Sequence, residues 1–290
     1  MSWWRNLVPG GQAPELVPYM DALEALGRDG RLGRRLDDVP VTSIVGSLHR
    51  HQDFDREFRL LNPALRERWE RLADAMRDGV VLPPVDLVQL GELYFVLDGH
   101  HRVSIARSMG QLAITARVDH LCTVAYARAC LRVAHLPTKA AERRFLERVP
   151  LPQPVRQRLW LDLPAQWARL ADAAEAWGLR RTLEHDRHLD RCELAASWWA
   201  EEVEPLVDRM RGAGLGGDLE DVQLYVTALA VRDRLGSIAW PDDVIDRLHG
   251  QPRLTRTPKP VPRRARFGAG RERGRESAVR NARSGPPWGR

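Results

Sequence analysis

Between Leu93 and Arg107 the chain reads Leu-Tyr-Phe-Val-Leu-Asp-Gly-His-His-Arg-Val-Ser-Ile-Ala-Arg, an apolar strand running straight into Asp98-Gly99 and then into a helix. No other stretch narrows the fold so far, because a strand end and a helix start must meet at one bend. Gly99 has no Cβ, so its backbone can turn sharply and lie close to a ligand. The first amides of the helix have no acceptor within it and carry partial positive charge, which suits an anion. His100, His101 and Arg102 add donors, and the planar fork of Arg102 matches phosphate oxygens. Asp98 is placed either to orient a histidine or to hold a magnesium ion. A plainer reading fits the turn as well: Asp98 caps the helix and the basic side chains are simply solvated.

The neighbouring pattern supplies the rest of a small mixed domain. Val39–Val45 reads as a short strand ending at Gly46, and an amphipathic helix is expected from Pro63 to Arg77. Asn62 is its cap, Pro63 its first residue, and Leu65, Trp69, Leu72 and Met76 its apolar stripe. Val85–Leu90 and Leu93–Leu97, separated by Gly91-Glu92, form a hairpin. A helix from His101 to Met109, closed by Gly110, leads to a last strand, Ala113–Val118. Upstream, Leu16, Tyr19, Leu23 and Leu26 mark a helix over 15–26, which the Gly/Arg-rich segment Gly27–Arg35 should break. Downstream, 121–135, 138–148, 165–177, 190–211 and 218–235 all carry apolar residues at helical spacing.

This order of elements, with Val-Pro-Val-Thr-Ser-Ile over 39–44 and Gly99-His100-His101-Arg102 before Ser104-Ile105-Ala106-Arg107, resembles the ParB/sulfiredoxin superfamily over about 80 residues. The wider chain is most like a group of bacterial ParB-like proteins. The resemblance implies an α+β fold, with a ParB/sulfiredoxin-like mixed sheet and helices at 39–120; apolar spacing adds an N-terminal helical extension at 1–38 and a helical domain at 121–250, and the Pro, Gly, Arg and Ser of 251–290 make a disordered basic tail the expectation. In ParB proteins the matching turn, Gly-Glu-Arg-Arg, binds CTP phosphates; in sulfiredoxins Gly-Cys-His-Arg binds ATP; in free-serine kinases it is Asp-Gly-His-Thr-Arg. The resemblance therefore implies a CTP or ATP site formed by Gly99, His100, His101, Arg102 and Arg50, with Mg²⁺ as an accompanying ion. Position 100 is His rather than Cys, which removes the sulfiredoxin nucleophile. Leu48-His49-Arg50-His51-Gln52 replaces the first ParB box, leaving only Arg50 equivalent, and neither a second ParB phosphate motif nor a helix-turn-helix follows. Three roles stay open: a regulatory or DNA-associated nucleotide binder; a phosphotransferase in which Asp98 or His100 activates a hydroxyl; and, with less support, a ParB-like nuclease. In the same fold the loop carrying Arg50, His51, Asp53 and Asp55 faces the turn, so Asp53 or Asp55 offers a magnesium ligand, although a solvated loop fits these residues too.

The charge does not itself demand nucleic acid. The net charge is +6, but residues 251–290 hold 12 Lys/Arg against 2 Glu, leaving the remaining chain mildly acidic. That tail can screen phosphate backbones without reading sequence, or serve only as a solubilising end. No apolar run approaches a membrane span, the start lacks a secretory leader, and three cysteines without a Cys-x-x-Cys pair suit a reducing cytoplasm. Among nine histidines, His185 and His188 lie in a polar stretch without Cys or Glu at zinc spacing, so no structural metal is expected. Trp160, Trp167, Trp177, Trp198 and Trp199 are expected to pack helices together.

Overall fold

The hairpin over 85–98 is the centre of the structure, a computed structural model that describes residues 15–50, 52–186, 188–236, 240 and 243–249. The expected tail at 251–290, the first 14 residues and His51 lie outside the described residues. Strands β1 (Val17–Pro18), β2 (Arg28–Pro40), β3 (Ile44–Ser47), β4 (Val85–Leu90), β5 (Leu93–Asp98) and β6 (Ala113–Thr123) form one mixed sheet in the order β1-β3-β5-β4-β6-β2. β5 pairs antiparallel with β4 and parallel with β3, while β6 runs parallel to β4 and antiparallel to β2.

The period of two in the central strands assigns one face to each apolar set. Val88, Leu90, Leu93 and Phe95 join Val17 of β1 and Val45 of β3 on one face, where α1 (Tyr19–Leu26) and α4 (Leu136–Arg148) pack through Ala22, Leu26, Phe145 and Leu146. Val85, Leu87 and Val96, with Ile44, Ala116 and Val118, point the other way against Val103 and Ala106 of α3 (His100–Ser108). The fold is thus α+β. Beyond α4 the described chain is helical: α5 (Gln153–Arg156), α6 (Pro164–His185), α7 (Arg191–Trp198), α8 (Glu204–Gly212), α9 (Asp221–Arg234) and α10 (Val244–His249). Trp167, Trp177, Trp198 and Trp199 are buried among these helices, as their amphipathic rings suggest. No helix among the described residues is long and apolar enough to cross a membrane.

Four local expectations need correcting. Gly27, at φ +71°, does end α1, but the segment after it is an edge strand of 13 residues rather than a break. Its glycines sit at irregularities: the ladder to β6 slips between Arg28 and Gly30 and again between Arg31 and Gly33, both glycines having positive φ. The strand expected from Val39 stops at Pro40, a 3₁₀ turn covers Val41–Ser43, and β3 begins at Ile44. The helix expected from 121 is absent because β6 continues to Thr123, paired with β2 throughout. The helix expected over 15–26 starts only at Tyr19, because Val17–Pro18 pairs as β1, whereas α2, the hairpin and α3 keep the expected outline. Asn62 accepts from the Ala64 amide at 3.1 Å and opens a 3₁₀ turn, Pro63–Leu65, that leads into α2 (Arg66–Arg77).

Gly46 shows how tightly the sheet closes beside β5. A Cβ at this position would overlap both the Val17 carbonyl oxygen and the Phe95 ring. Gly46→Ala should therefore lower stability by about 2–3 kcal/mol through overpacking, read as a shift in the urea midpoint at unchanged slope.

Candidate functional site

Gly99 ends β5 at φ +97°, ψ 23°, the left-handed region that an L side chain resists. A Cβ there would lie 2.6 Å from Val85 Cγ1, so the bend is closed to larger residues on steric grounds as well. Gly99 provides no side-chain cap for α3, and the first helical bond runs from the Val103 amide to the Gly99 carbonyl. The amides of His100, His101 and Arg102 thus precede the first bonded donor of the helix, Val103, and carry its positive end.

The three side chains after Gly99 diverge. His100 is buried against the sheet, with Nε2 2.6 Å from Ser47 Oγ, and that oxygen accepts from the Arg50 amide. Phe54 stacks on the imidazole at 6.2 Å between centroids. With the Arg50 N–H filling one lone-pair site on Ser47, the simplest arrangement sends the hydroxyl proton to Nε2 and keeps the imidazole neutral. Burial agrees, pushing the His100 pKa down to about 4, with Arg50 reinforcing the shift. His101 points toward the loop after β3 and toward α2, with only 7% of its surface exposed. It meets Phe54 edge-on at 5.5 Å, and neither of its ring nitrogens has a hydrogen-bond partner among the described residues. Burial lowers its pKa too, followed by the nearby positive charges of Arg68 and Arg50.

Arg102 does not project into open space. Its guanidinium donates to the carbonyl oxygens of Pro83 and Pro84, the latter at 3.1 Å, and to Asp98 Oδ2 at 2.9 Å. Three of its five N–H donors are therefore engaged within the protein. This locks the turn against the segment that enters β4. Asp98, largely exposed, is held by that same guanidinium.

The loop between β3 and α2 is built around Asp55, which is buried and accepts from the amides of Glu57 and Arg59 and from Arg59 Nε at 2.6 Å. Asp55 is thus a loop organiser, with both carboxylate oxygens engaged. Asp53 accepts from Asn62 at 2.9 Å and lies 3.5 Å from Arg50. Arg107, in the last turn of α3, ties the other side of this loop by donating to the carbonyls of Val41, Ile44 and Arg56. Among the described residues, no three His, Cys, Asp or Glu side chains gather where a metal could be held by protein ligands alone.

The geometry brings Gly99, His100, His101 and Arg50 together, and it keeps Arg102 and Asp98 beside them but paired with each other. Arg68 is the addition that sequence reading missed. Trp69 Nε1 donates to Ser104 Oγ at 2.9 Å, docking α2 on α3 and setting the preceding residue beside His101. The sequence trace of this was Trp69 in the apolar stripe of α2, next to Arg68.

Comparison with solved structures finds a likeness to sulfiredoxin from Arabidopsis thaliana, at 18% identity and a TM-score of 0.24, covering 30% of this chain and 88% of that one. No family model and no curated protein matches the sequence.

The buried, neutral His100 gives the fold a definite pH response. In the unfolded chain its imidazole takes a proton near pH 6.5, whereas in the folded chain it does so near pH 4. Acidification through this window favours the unfolded state, by at most about 3 kcal/mol. The melting temperature should fall between pH 6.5 and 4, and less steeply in His100→Asn.

Proposed function

We propose that this protein binds a nucleotide through its phosphates at the start of α3, and that it acts as a nucleotide-responsive regulator rather than as a phosphotransferase. The unpaired, buried imidazole of His101 carries this reading. A buried polar ring without partners is costly, and a ligand oxygen beside an uncapped helix end is the simplest group to complete it. The free amides of His100, His101 and Arg102 would meet phosphate oxygens, and the guanidinium groups of Arg50 and Arg68 would balance their charge from two sides. Gly99 lets the backbone approach. Arg102 would hold the bend in shape instead of gripping the ligand.

Transfer chemistry is the less favoured role. It needs a free proton acceptor, yet the Nε2 atom of His100 already faces Ser47 and Asp98 is engaged by Arg102. CTP and ATP are both suited to the site, since its charge recognises phosphate and not the base. Any association with DNA would draw on the basic 251–290 segment and would weaken steeply with salt.

Calorimetric titration of CTP, ATP and ADP tests the reading directly. The wild type should bind at least one of them without releasing phosphate. Arg68→Ala and Arg50→Ala should each weaken that binding about ten- to hundredfold, the worth of a charge-assisted hydrogen bond, at unchanged melting temperature. Failure of all three nucleotides to bind would remove the proposal, and transfer to a hydroxyl acceptor would replace it with the enzyme reading.

A further inference from the structure

β2 lies at the edge of the sheet, so its outer row of backbone N–H and C=O groups has no strand beside it among the described residues. Proteins usually protect such an edge with charges, bulges or proline. The first part of β2 follows this rule, with irregularities around Asp29 and Leu32. The second part carries charges and ends in Pro40, but it has no bulge. From Gly33 to Pro40 the ladder to β6 is uninterrupted, leaving a regular template of eight residues. At its middle is Arg34-Arg35-Leu36-Asp37-Asp38, with Leu36 63% exposed.

We propose that this edge is a self-association surface, in which β2 pairs antiparallel with β2 of a second copy of this chain about a two-fold axis through Leu36. The argument is charge complementarity along a regular strand. Reversed against itself with Leu36 opposite Leu36, the segment sets Arg35 against Asp37 and Arg34 against Asp38, each pair occurring twice by symmetry. Every residue meets one of its own parity, so the two sheets join with matching faces. Sliding by two residues in one direction puts Arg35 opposite Arg35; sliding in the other puts Asp37 opposite Asp37. The charges therefore select one register and oppose its neighbours.

The existing contacts leave these charges available. Arg34 reaches Asp119 at 2.7 Å, Asp38 accepts from Thr115 at 2.8 Å, and Asp37 lies 3.1 Å from His120, all along the β2–β6 ladder and all with remaining exposure or hydrogen-bonding capacity. Arg35 has no ion pair or side-chain hydrogen bond among the described residues, and it is the cation that Asp37 of the second copy would meet. The paired edges would bury both Leu36 side chains and satisfy the outward backbone groups of both strands.

Sedimentation of the full chain over a concentration series tests this, with Arg35→Asp and Asp37→Arg as variants and circular dichroism melts as a check on folding. The wild type should show a reversible monomer–dimer equilibrium. Each variant alone places like charges across the axis and should dimerise at least about tenfold more weakly. An equimolar mixture of the two variants restores opposite charges at every such pair and should recover dimers, a result that damage to the fold could not produce. A wild type that stays monomeric up to about 0.3 mM, far above the range of specific dimers, would overturn the proposal. So would dimerisation indifferent to both variants, or a mixture no better than its components.

Discussion

The site depends on β5 being buried on both faces. Leu93 and Phe95 are clamped by α1 and α4, Val96 is clamped by α3, and the strand has neighbours on both edges. A strand fixed on four sides can end in a left-handed glycine and still aim the next helix reproducibly. The conformational cost at Gly99 is local, whereas the packing that holds the bend is distributed over two cores. This is why the positive end of α3 stands in a definite place relative to the loop after β3.

Around that end, electrostatics follows from anchoring elsewhere. Asp55 closes its loop with two amides and Arg59, and Arg107 grips the same region through three backbone carbonyls. Arg50 is carried into position by this scaffold. Arg68 arrives by a separate route, the bond from Trp69 to Ser104. Neither guanidinium is oriented by the helix end it faces. Positive charges are therefore held near free amides and a neutral, desolvated imidazole, an arrangement that favours an incoming anion over a cation.

The hairpin and the glycine turn were readable because strands with two buried faces need continuous apolar residues, and few sequences offer Val85–Leu90, Leu93–Leu97 and Asp98-Gly99 in that order. β2 was not readable. An edge strand needs no apolar alternation, and Arg-Asp-Gly-Arg-Leu-Gly-Arg-Arg looks like a loop until its partner is known. The extension of β6 to Thr123 was hidden for the same reason, since its pairing lies in β2 and not in its own residues. At the site, Arg102 matches phosphate geometry in principle, but two proline carbonyls and Asp98 are nearer acceptors. Arg68 is one basic residue among several on α2, and only the docking of Trp69 distinguishes it.

The layer shared between sheet and helices also bears on how the chain can be dissected. A fragment spanning 39–120 would contain the whole glycine turn, yet it would turn Val45, Val88, Leu90, Leu93 and Phe95 out to water as one contiguous greasy surface. It would also lose β2, exposing the flank of β6. What looks in the sequence like a detachable cassette is, by its packing, half of a sandwich whose other slice is made of helices.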